Sequence, residues 1–482
     1  MTENDVSTLS GSVKQYPATV FQHQAWATEQ IAAVHGWPSF LLKRVVPYRN
    51  LDDELIAEAL QILFNLHSVF RSTIHARDDG VIQRVHPQVQ VDLLSNAIDL
   101  RKSSDKSLIL NALIDAQASQ RLPLGELPHF LIALIRDAEA NRLLLHIDHL
   151  CVDARSLDLL IQQLQTICQA LVQGKNQRID ALKPSVDYTD YAVWEAEELS
   201  SNNISAPRKY WRQLLATSEL AFDPLWQLTG RDPRPAISYA DRFADGCRRL
   251  QSQLDRRFQN LAFGYVREIF PSSGAVEKYS FFFHGQVFEH LKKWSKQNGF
   301  LFSNVVMSGL ALWVHKMSGL HNFIVTMLSD TRLSEKFFDV VGCFAMEVPV
   351  LCQLRDREKF ADLCGRLQEQ LSESYQYRLY PMTLLLADLD IDYSCLRTIQ
   401  VNYINLSSQE GHNYSPEMGL GGIADRGIHM RLVEYKNGLS VECEYLKELF
   451  EASQFADLIQ QYPLLMAALM ADSEQIISAL PD

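Results

Sequence analysis

The stretch that most constrains this chain is residues 130–174, where two apolar runs of strand length lead straight into an amphipathic helix. Phe130–Arg136 and Arg142–His149 read as strands, joined by the polar turn Asp137-Ala138-Glu139-Ala140-Asn141. Leu157, Leu160, Ile161, Leu164, Ile167 and Leu171 then recur at helical spacing, with Ser156 as a candidate cap and Gly174 as a stop signal. The junction is His146-Ile147-Asp148-His149-Leu150-Cys151-Val152-Asp153-Ala154-Arg155-Ser156. His149 falls where the second strand ends, and Asp153 lies in the turn before the helix. Such a turn can hold an imidazole at a cleft while a nearby carboxylate is buried and paired, an arrangement suited to proton handling in acyl transfer. A lone His near a lone Asp also fits ordinary packing and hydrogen bonding.

The rest of the chain reads as mixed α/β, in two lobes divided at residues 194 and 195. Helices are expected over 52–66, 207–215, 287–296, 303–317, 360–375 and 452–470, and strands over 323–328, 347–354 and 398–405. A hairpin is expected over 428–444, turning at Lys436-Asn437-Gly438. With 482 residues, 47% of them hydrophobic, the chain can bury large cores and suits two packed lobes.

A net charge of −13 supplies no basic footprint for nucleic acid and disfavours anionic lipid. No apolar run approaches the roughly 20 residues needed to span a bilayer, and residues 1–12 lack the apolar centre of a signal peptide. A cytoplasmic monomer is the expectation. The eight cysteines are scattered without a CxxC pair, which reads as reduced core thiols. His146 and His149 form an HxxH, but on a strand they point to opposite faces, so no metal site is expected.

Several segments, taken in order, carry a resemblance. Ala18-Thr19-Val20-Phe21-Gln22-His23-Gln24-Ala25-Trp26 is a loose version of SxAQxRLW, and Leu66-His67-Ser68-Val69-Phe70-Arg71-Ser72-Thr73-Ile74 is similar to RHExLRTxF. Asp148 to Ala154 matches HHxxxDG, with Asp148 for the first His and Ala154 for the Gly. Tyr188-Thr189-Asp190-Tyr191-Ala192-Val193-Trp194 fits YxDYAxW and is followed by Lys209-Tyr210-Trp211. Asp330-Thr331-Arg332, then Val341-Gly342-Cys343-Phe344, is similar to an arginine segment and IGxFVN, with Ala345 and Met346 departing. Gly438 to Phe450 looks like a closing segment. Together these resemble the nonribosomal peptide synthetase condensation domain family over nearly the whole chain.

The resemblance implies two chloramphenicol acetyltransferase-like lobes in a V, with the active site in a tunnel between them. It implies His149 as the catalytic residue, accepting or positioning a proton as a nucleophile attacks a thioester carbonyl. Asp153 would pair with an arginine to fix the loop, Arg332 and Arg71 being the candidates, with Asp148 as a further supporting residue. Asn402 or Asn405, and Ser156, are possible oxyanion or substrate contacts. Asp148 beside His149 could raise its pKa or attract a cationic acceptor.

No bound cofactor is expected. With no room for adenylation or carrier domains, and Gly419-Leu420-Gly421-Gly422 lacking a following Ser, the expectation is a freestanding enzyme. Its donor would be an acyl group on the 4'-phosphopantetheine of a separate acyl or peptidyl carrier protein. The acceptor would be a free or carrier-bound amine or hydroxyl, in nonribosomal peptide or polyketide biosynthesis. The arginines of segment 231–267 are either a docking patch for an acidic carrier or, with their interspersed aspartates, a solvated insertion. Two alternatives stand beside this reading. Asp148, Asp153 and Ser156 also satisfy DxxxxDxxS, the motif of heterocyclisation domains. The replacements at 148 and 154 would equally suit a degenerate domain kept for recruitment.

Overall fold

The connectivity follows the expected alternation closely. The computed structural model describes residues 12–35, 38–77, 80–200, 204–216, 276–355, 357–382, 385, 389, 399–407, 427–446, 452–471 and 476–477. The arginine-rich segment 231–267, the glycine run 419–422, Cys247, Cys395 and the last residues of the closing segment lie outside them.

The first half contains β1 (Lys14–Pro17), α1 (Val20–His35), β2 (Leu41–Tyr48), α2 (Asp53–Leu66), β3 (Ser72–Arg77), β4 (Gly80–Val85) and β5 (Ala97–Asp99). It continues with α3 (Lys106–Ala118), β6 (Phe130–Arg136), β7 (Asn141–Asp148), α4 (Ala154–Gln173), α5 (Asn176–Asp180), α6 (Tyr188–Ser200) and α7 (Ser205–Leu215). The second half contains β8 (Val276–His284), α8 (Gln286–Gln297), α9 (Phe302–Ser318), β9 (Asn322–Asp330), β10 (Ala345–Gln353) and α10 (Phe360–Gln376). It ends with β11 (Ile399–Asn405), β12 (Ile428–Tyr435), β13 (Gly438–Leu446) and α11 (Ala452–Ala471). Helix α6 runs through the lobe boundary expected at 194.

Three sheets organise these elements. The first half holds a sheet ordered β1-β4-β3 and another ordered β2-β7-β6-β5; the second half holds one ordered β10-β9-β11-β12-β13-β8. In the last, β11 runs parallel to both β9 and β12 while the other pairs are antiparallel. Among the described residues no single helix is long and apolar enough to cross a membrane.

Helix α4 is the platform of the site. Its stripe Leu157, Leu160, Leu164 and Ile167 is buried with Ile56, Leu60, Leu63 and Phe64 of α2 and Leu143, Leu145 and Ile147 of β7. Each such side chain contributes about 1.5–3 kcal/mol when fully buried, so the helix start is held by its whole length. Asp153, not Ser156, is the N-cap: its carboxylate accepts from the Ser156 amide at 2.7 Å, and Ser156 falls inside the first turn. An acidic cap satisfies an otherwise orphaned N–H and is worth about 1 kcal/mol. Gly174 closes the helix at φ 62°, where a side chain would be strained.

The same core takes in Tyr188 and Tyr191 of α6 and, from the second half, Phe337, Val340, Val341 and Phe344. The β9–β10 connection therefore packs as part of the first half's core, and this brings its polar atoms to the β7–α4 turn.

Candidate active site

The β7–α4 turn is built by local hydrogen bonds and then locked from the second half. Asp148 and Asp153 sit at its two ends. The Asp148 carboxylate accepts from the Leu150 amide at 2.9 Å, and the Cys151 amide returns to the Asp148 carbonyl at 2.9 Å. His149 lies between, half-buried, its amide bonded to the Phe40 carbonyl at 2.9 Å. The rings of Phe40 and Phe21 stand 5.0 and 5.4 Å from the imidazole.

Of the two candidate arginines, Arg332 reaches Asp153. Its Nη1 lies 2.8 Å from Asp153 Oδ2 and its Nη2 3.3 Å from Oδ1, with a side chain only 1% exposed. Nη2 also donates to Ser156 Oγ at 2.7 Å and to the Val340 carbonyl at 3.2 Å, and Nη1 to Asp330 at 2.7 Å. The guanidinium lies 3.8 Å above the centre of the Phe344 ring. A planar fork with five donors suits such a crowded site better than a lysine would.

Arg71 does not belong to this cluster, which corrects its place among the supporting residues. Its guanidinium donates to the carbonyls of His86 and Pro87 at 2.6 and 3.4 Å. It turns away because Ser68–Arg71 forms a short 3-10 helix whose exit is pinned to β4, with the His86 amide returning to the Arg71 carbonyl at 2.8 Å. His67 of the same motif bonds Gln163 of α4 at 2.7 Å. That motif joins α2, β4 and α4.

Ser156 also takes a different role from the one expected. Fully buried, its hydroxyl donates to the Gly342 carbonyl at 2.7 Å and accepts from the Gly342 amide at 3.1 Å and from Arg332. Every polar atom is used across the interface, which leaves nothing for a substrate or an oxyanion. Asn402 stands on β11 opposite Arg431, partly buried, and no hydrogen bond joins it to the His149 cluster among the described residues. Asn405 accepts from the amide and hydroxyl of Ser407.

Residues 342–344 meet the turn atom by atom. The Asp153 amide donates to the Gly342 carbonyl at 3.2 Å, the Phe344 amide donates to Asp153 Oδ2 at 3.0 Å, and Cys343 Sγ lies 3.3 Å from His149 Nδ1. Gly342 is required here, since a Cβ would meet the Tyr188 ring at 2.0 Å. Tyr188 donates to the Cys343 carbonyl at 2.6 Å, and Tyr191 bonds Glu195 and Thr331, each at 2.8 Å. This is the physical content of the Tyr-x-Asp-Tyr-Ala-x-Trp segment: two phenols that tie α6 to the far half.

Sequence reasoning missed Glu195, whose buried carboxylate accepts from the Val20 amide at 2.7 Å at the start of α1, and it missed the contact of Cys343 with His149. The only available signal was position. Glu195 directly follows the Tyr-x-Asp-Tyr-Ala-x-Trp segment, and Cys343 sits between Gly342 and Phe344.

The charges follow from these contacts. Burial raises the pKa of Asp153, but the Arg332 charge and hydrogen bond, with the Ser156 and Phe344 amides, bring it below the usual carboxylate value. Burial pushes Asp148 up to about 7, and nearby Glu29 adds to this while the Leu150 amide opposes it. Burial lowers the His149 pKa below 6.5, against the opposing pull of the His149 and Val152 carbonyls and Asp153. The ring is neutral near pH 7, the state a base requires.

A profile of the Condensation domain family matches residues 12–244 and 251–481, and the chain belongs to that family. A linear gramicidin synthase from Brevibacillus parabrevis is 22% identical over 485 residues, covering 96% of this chain but 9% of that protein. The chain thus spans less than a tenth of that relative's length. The X-domain from teicoplanin biosynthesis superposes with a TM-score of 0.74 at 17% identity, covering 99% of this chain and 100% of that one. The first condensation domain of the calcium-dependent antibiotic synthetase, in complex with substrate analogue 3a, does so at 0.69 and 16%, covering 97% and 99%. The expected chloramphenicol acetyltransferase-like α/β fold is the one found, and condensation-type acyl transfer in nonribosomal peptide biosynthesis is the activity the family carries.

Proposed function

We propose that this chain moves an acyl group from a carrier-protein phosphopantetheine thioester to an amine or hydroxyl acceptor, with His149 taking or positioning the acceptor's proton. The observation that carries the reading is the His149 ring itself. It is half-buried and flanked by aromatic rings, burial lowers its pKa, and Cys343 Sγ lies 3.3 Å from its Nδ1. An α-amino group, with a pKa of about 7.7–8.0, is partly protonated near neutrality, and a hydroxyl must shed its proton as it attacks. A neutral Nε2 serves both. Asn402 is a candidate donor to the oxyanion, with no competing hydrogen bond among the described residues.

The test mixes an acyl-loaded carrier protein with this protein and a panel of amines, alcohols and aminothiols, followed by intact-protein mass spectrometry. Transfer is expected in the wild type and should slow by about 10²- to 10⁴-fold in His149→Ala, the usual worth of a general base. Activity that needs the neutral ring should hold above pH 6.5 and fall only as pH drops through the lowered His149 pKa, a limb absent from His149→Ala. Transfer with a further loss of water would replace this reading with heterocyclisation, and carrier binding without transfer would replace it with recruitment.

A further inference from the structure

Cys343 comes from the connection between β9 and β10, yet its sulfur lies 3.3 Å from Nδ1 of His149, 194 residues away in sequence. It is 1% exposed and tightly tethered. Its own carbonyl accepts from Tyr188, the Gly342 carbonyl and amide both bond Ser156, and the Phe344 amide bonds Asp153. A sulfur held by backbone bonds on both sides is a fixed acceptor.

Which ring nitrogen carries the proton is set along the same edge. The His149 carbonyl acts on the ring as an acceptor and opposes the fall in its pKa. A histidine reaches its own carbonyl only through Nδ1, because Nε2 lies on the far side of the imidazole. That carbonyl oxygen and the Cys343 sulfur therefore share one edge, and both can accept. A neutral imidazole has a single N–H, and placing it where the acceptors are leaves the lone pair on Nε2. Burial pushes the Cys343 thiol well above its ordinary value, so the sulfur remains a thiol and no thiolate–imidazolium pair competes.

We propose that Cys343 is a positioning residue for His149: its sulfur accepts from Nδ1–H, keeps the lone pair on Nε2, and fixes the ring's orientation across the interface between the two halves. The orientation of the base in one half is thereby made to depend on the docking of the other. The rate consequence rests on the acyl-transfer reading; the tautomer consequence does not.

The experiment is ¹⁵N NMR of His149 in the whole chain, comparing wild type, Cys343→Ala and Cys343→Ser, with the transfer assay alongside. The wild type should show the Nδ1–H tautomer. Cys343→Ala should shift population toward Nε2–H and lower kcat about tenfold with KM unchanged, the scale of one lost hydrogen bond. Cys343→Ser keeps an acceptor and should restore most of both, and it carries the test if the alanine variant does not fold. An Nε2–H tautomer in the wild type would overturn the proposal, as would an unchanged tautomer in Cys343→Ala. An acyl adduct on Cys343 in peptide mass mapping would also overturn it, by making the sulfur a nucleophile. Absence of transfer in the wild type would count against the acyl-transfer reading alone, since the tautomer is read without substrate.

Discussion

The two ends of the β7–α4 turn each bury an aspartate, and the protein treats them oppositely. Asp148 and Asp153 are 6% and 7% exposed, five residues apart. At the first end the carboxyl meets the Leu150 amide, the Ser39 side chain and a second carboxylate, Glu29, which is itself paired with Arg121. Its pKa climbs to about 7. At the second end a guanidinium and two amides surround the carboxylate and hold it ionised. Burial alone is the same at both ends, so the charge state is decided by what the other half of the chain delivers.

Removing the guanidinium should break the contrast most severely. Arg332→Met leaves Asp153 buried without its partner, and denaturant unfolding at pH 7 should show a loss of about 3–5 kcal/mol. The sign with pH is fixed by the lowered pKa. The stabilisation from Asp153 is present above its unfolded value and is lost as pH falls through the folded one, so the gap between variant and wild type should close at acid pH. A variant as stable as wild type at pH 7 would mean that the two ends are alike after all.

Gly342→Ala tests the contact that brings the halves together without changing any charge. The new Cβ would meet the Tyr188 ring, and overpacking of this kind costs about 1–3 kcal/mol in thermal unfolding. An unchanged melting temperature would show that the 342–344 segment is not held against α6.

Asp148→Asn addresses the other end and should act in the opposite direction. Asparagine keeps an oxygen for the Leu150 amide but cannot ionise. With a folded pKa raised to about 7, Asp148 favours folding below its unfolded value and loses that contribution as pH rises through 7. Relative to wild type, the variant should gain ~1.4 kcal/mol per pH unit at most between about pH 4 and pH 7. A pH-independent difference would show that Asp148 is ionised like any surface carboxylate.

Local order was largely legible in advance. The strand pair and the helix over 130–174 appear within a residue or two of their expected bounds, as do the helices 302–318 and 360–376 and the hairpin turning at Lys436 and Asn437. Alternation and helical spacing of apolar side chains are local properties, and the core accepts them as written. The cap was misread by three residues because Ser and Asp both favour that position, and only the helix start shows which oxygen meets the amide.

Partnership was where sequence stopped. His67 and Arg71 resembled a family motif as fully as Arg332 did, and nothing in the order of residues separates a guanidinium that folds back on its own hairpin from one that crosses to Asp153.

By itself the sequence determined the α/β class, the family, and the turn that presents His149 between Asp148 and Asp153, because motif spacing and apolar periodicity are written in neighbouring residues. Tertiary structure alone decided that Arg332 answers Asp153, that Ser156 is spent on Gly342, and that Cys343 meets the imidazole. Those contacts span 179, 186 and 194 residues. They exist because the apolar face of the 337–344 segment is buried in the other half's core, and burial of that face carries the polar groups beside it into range.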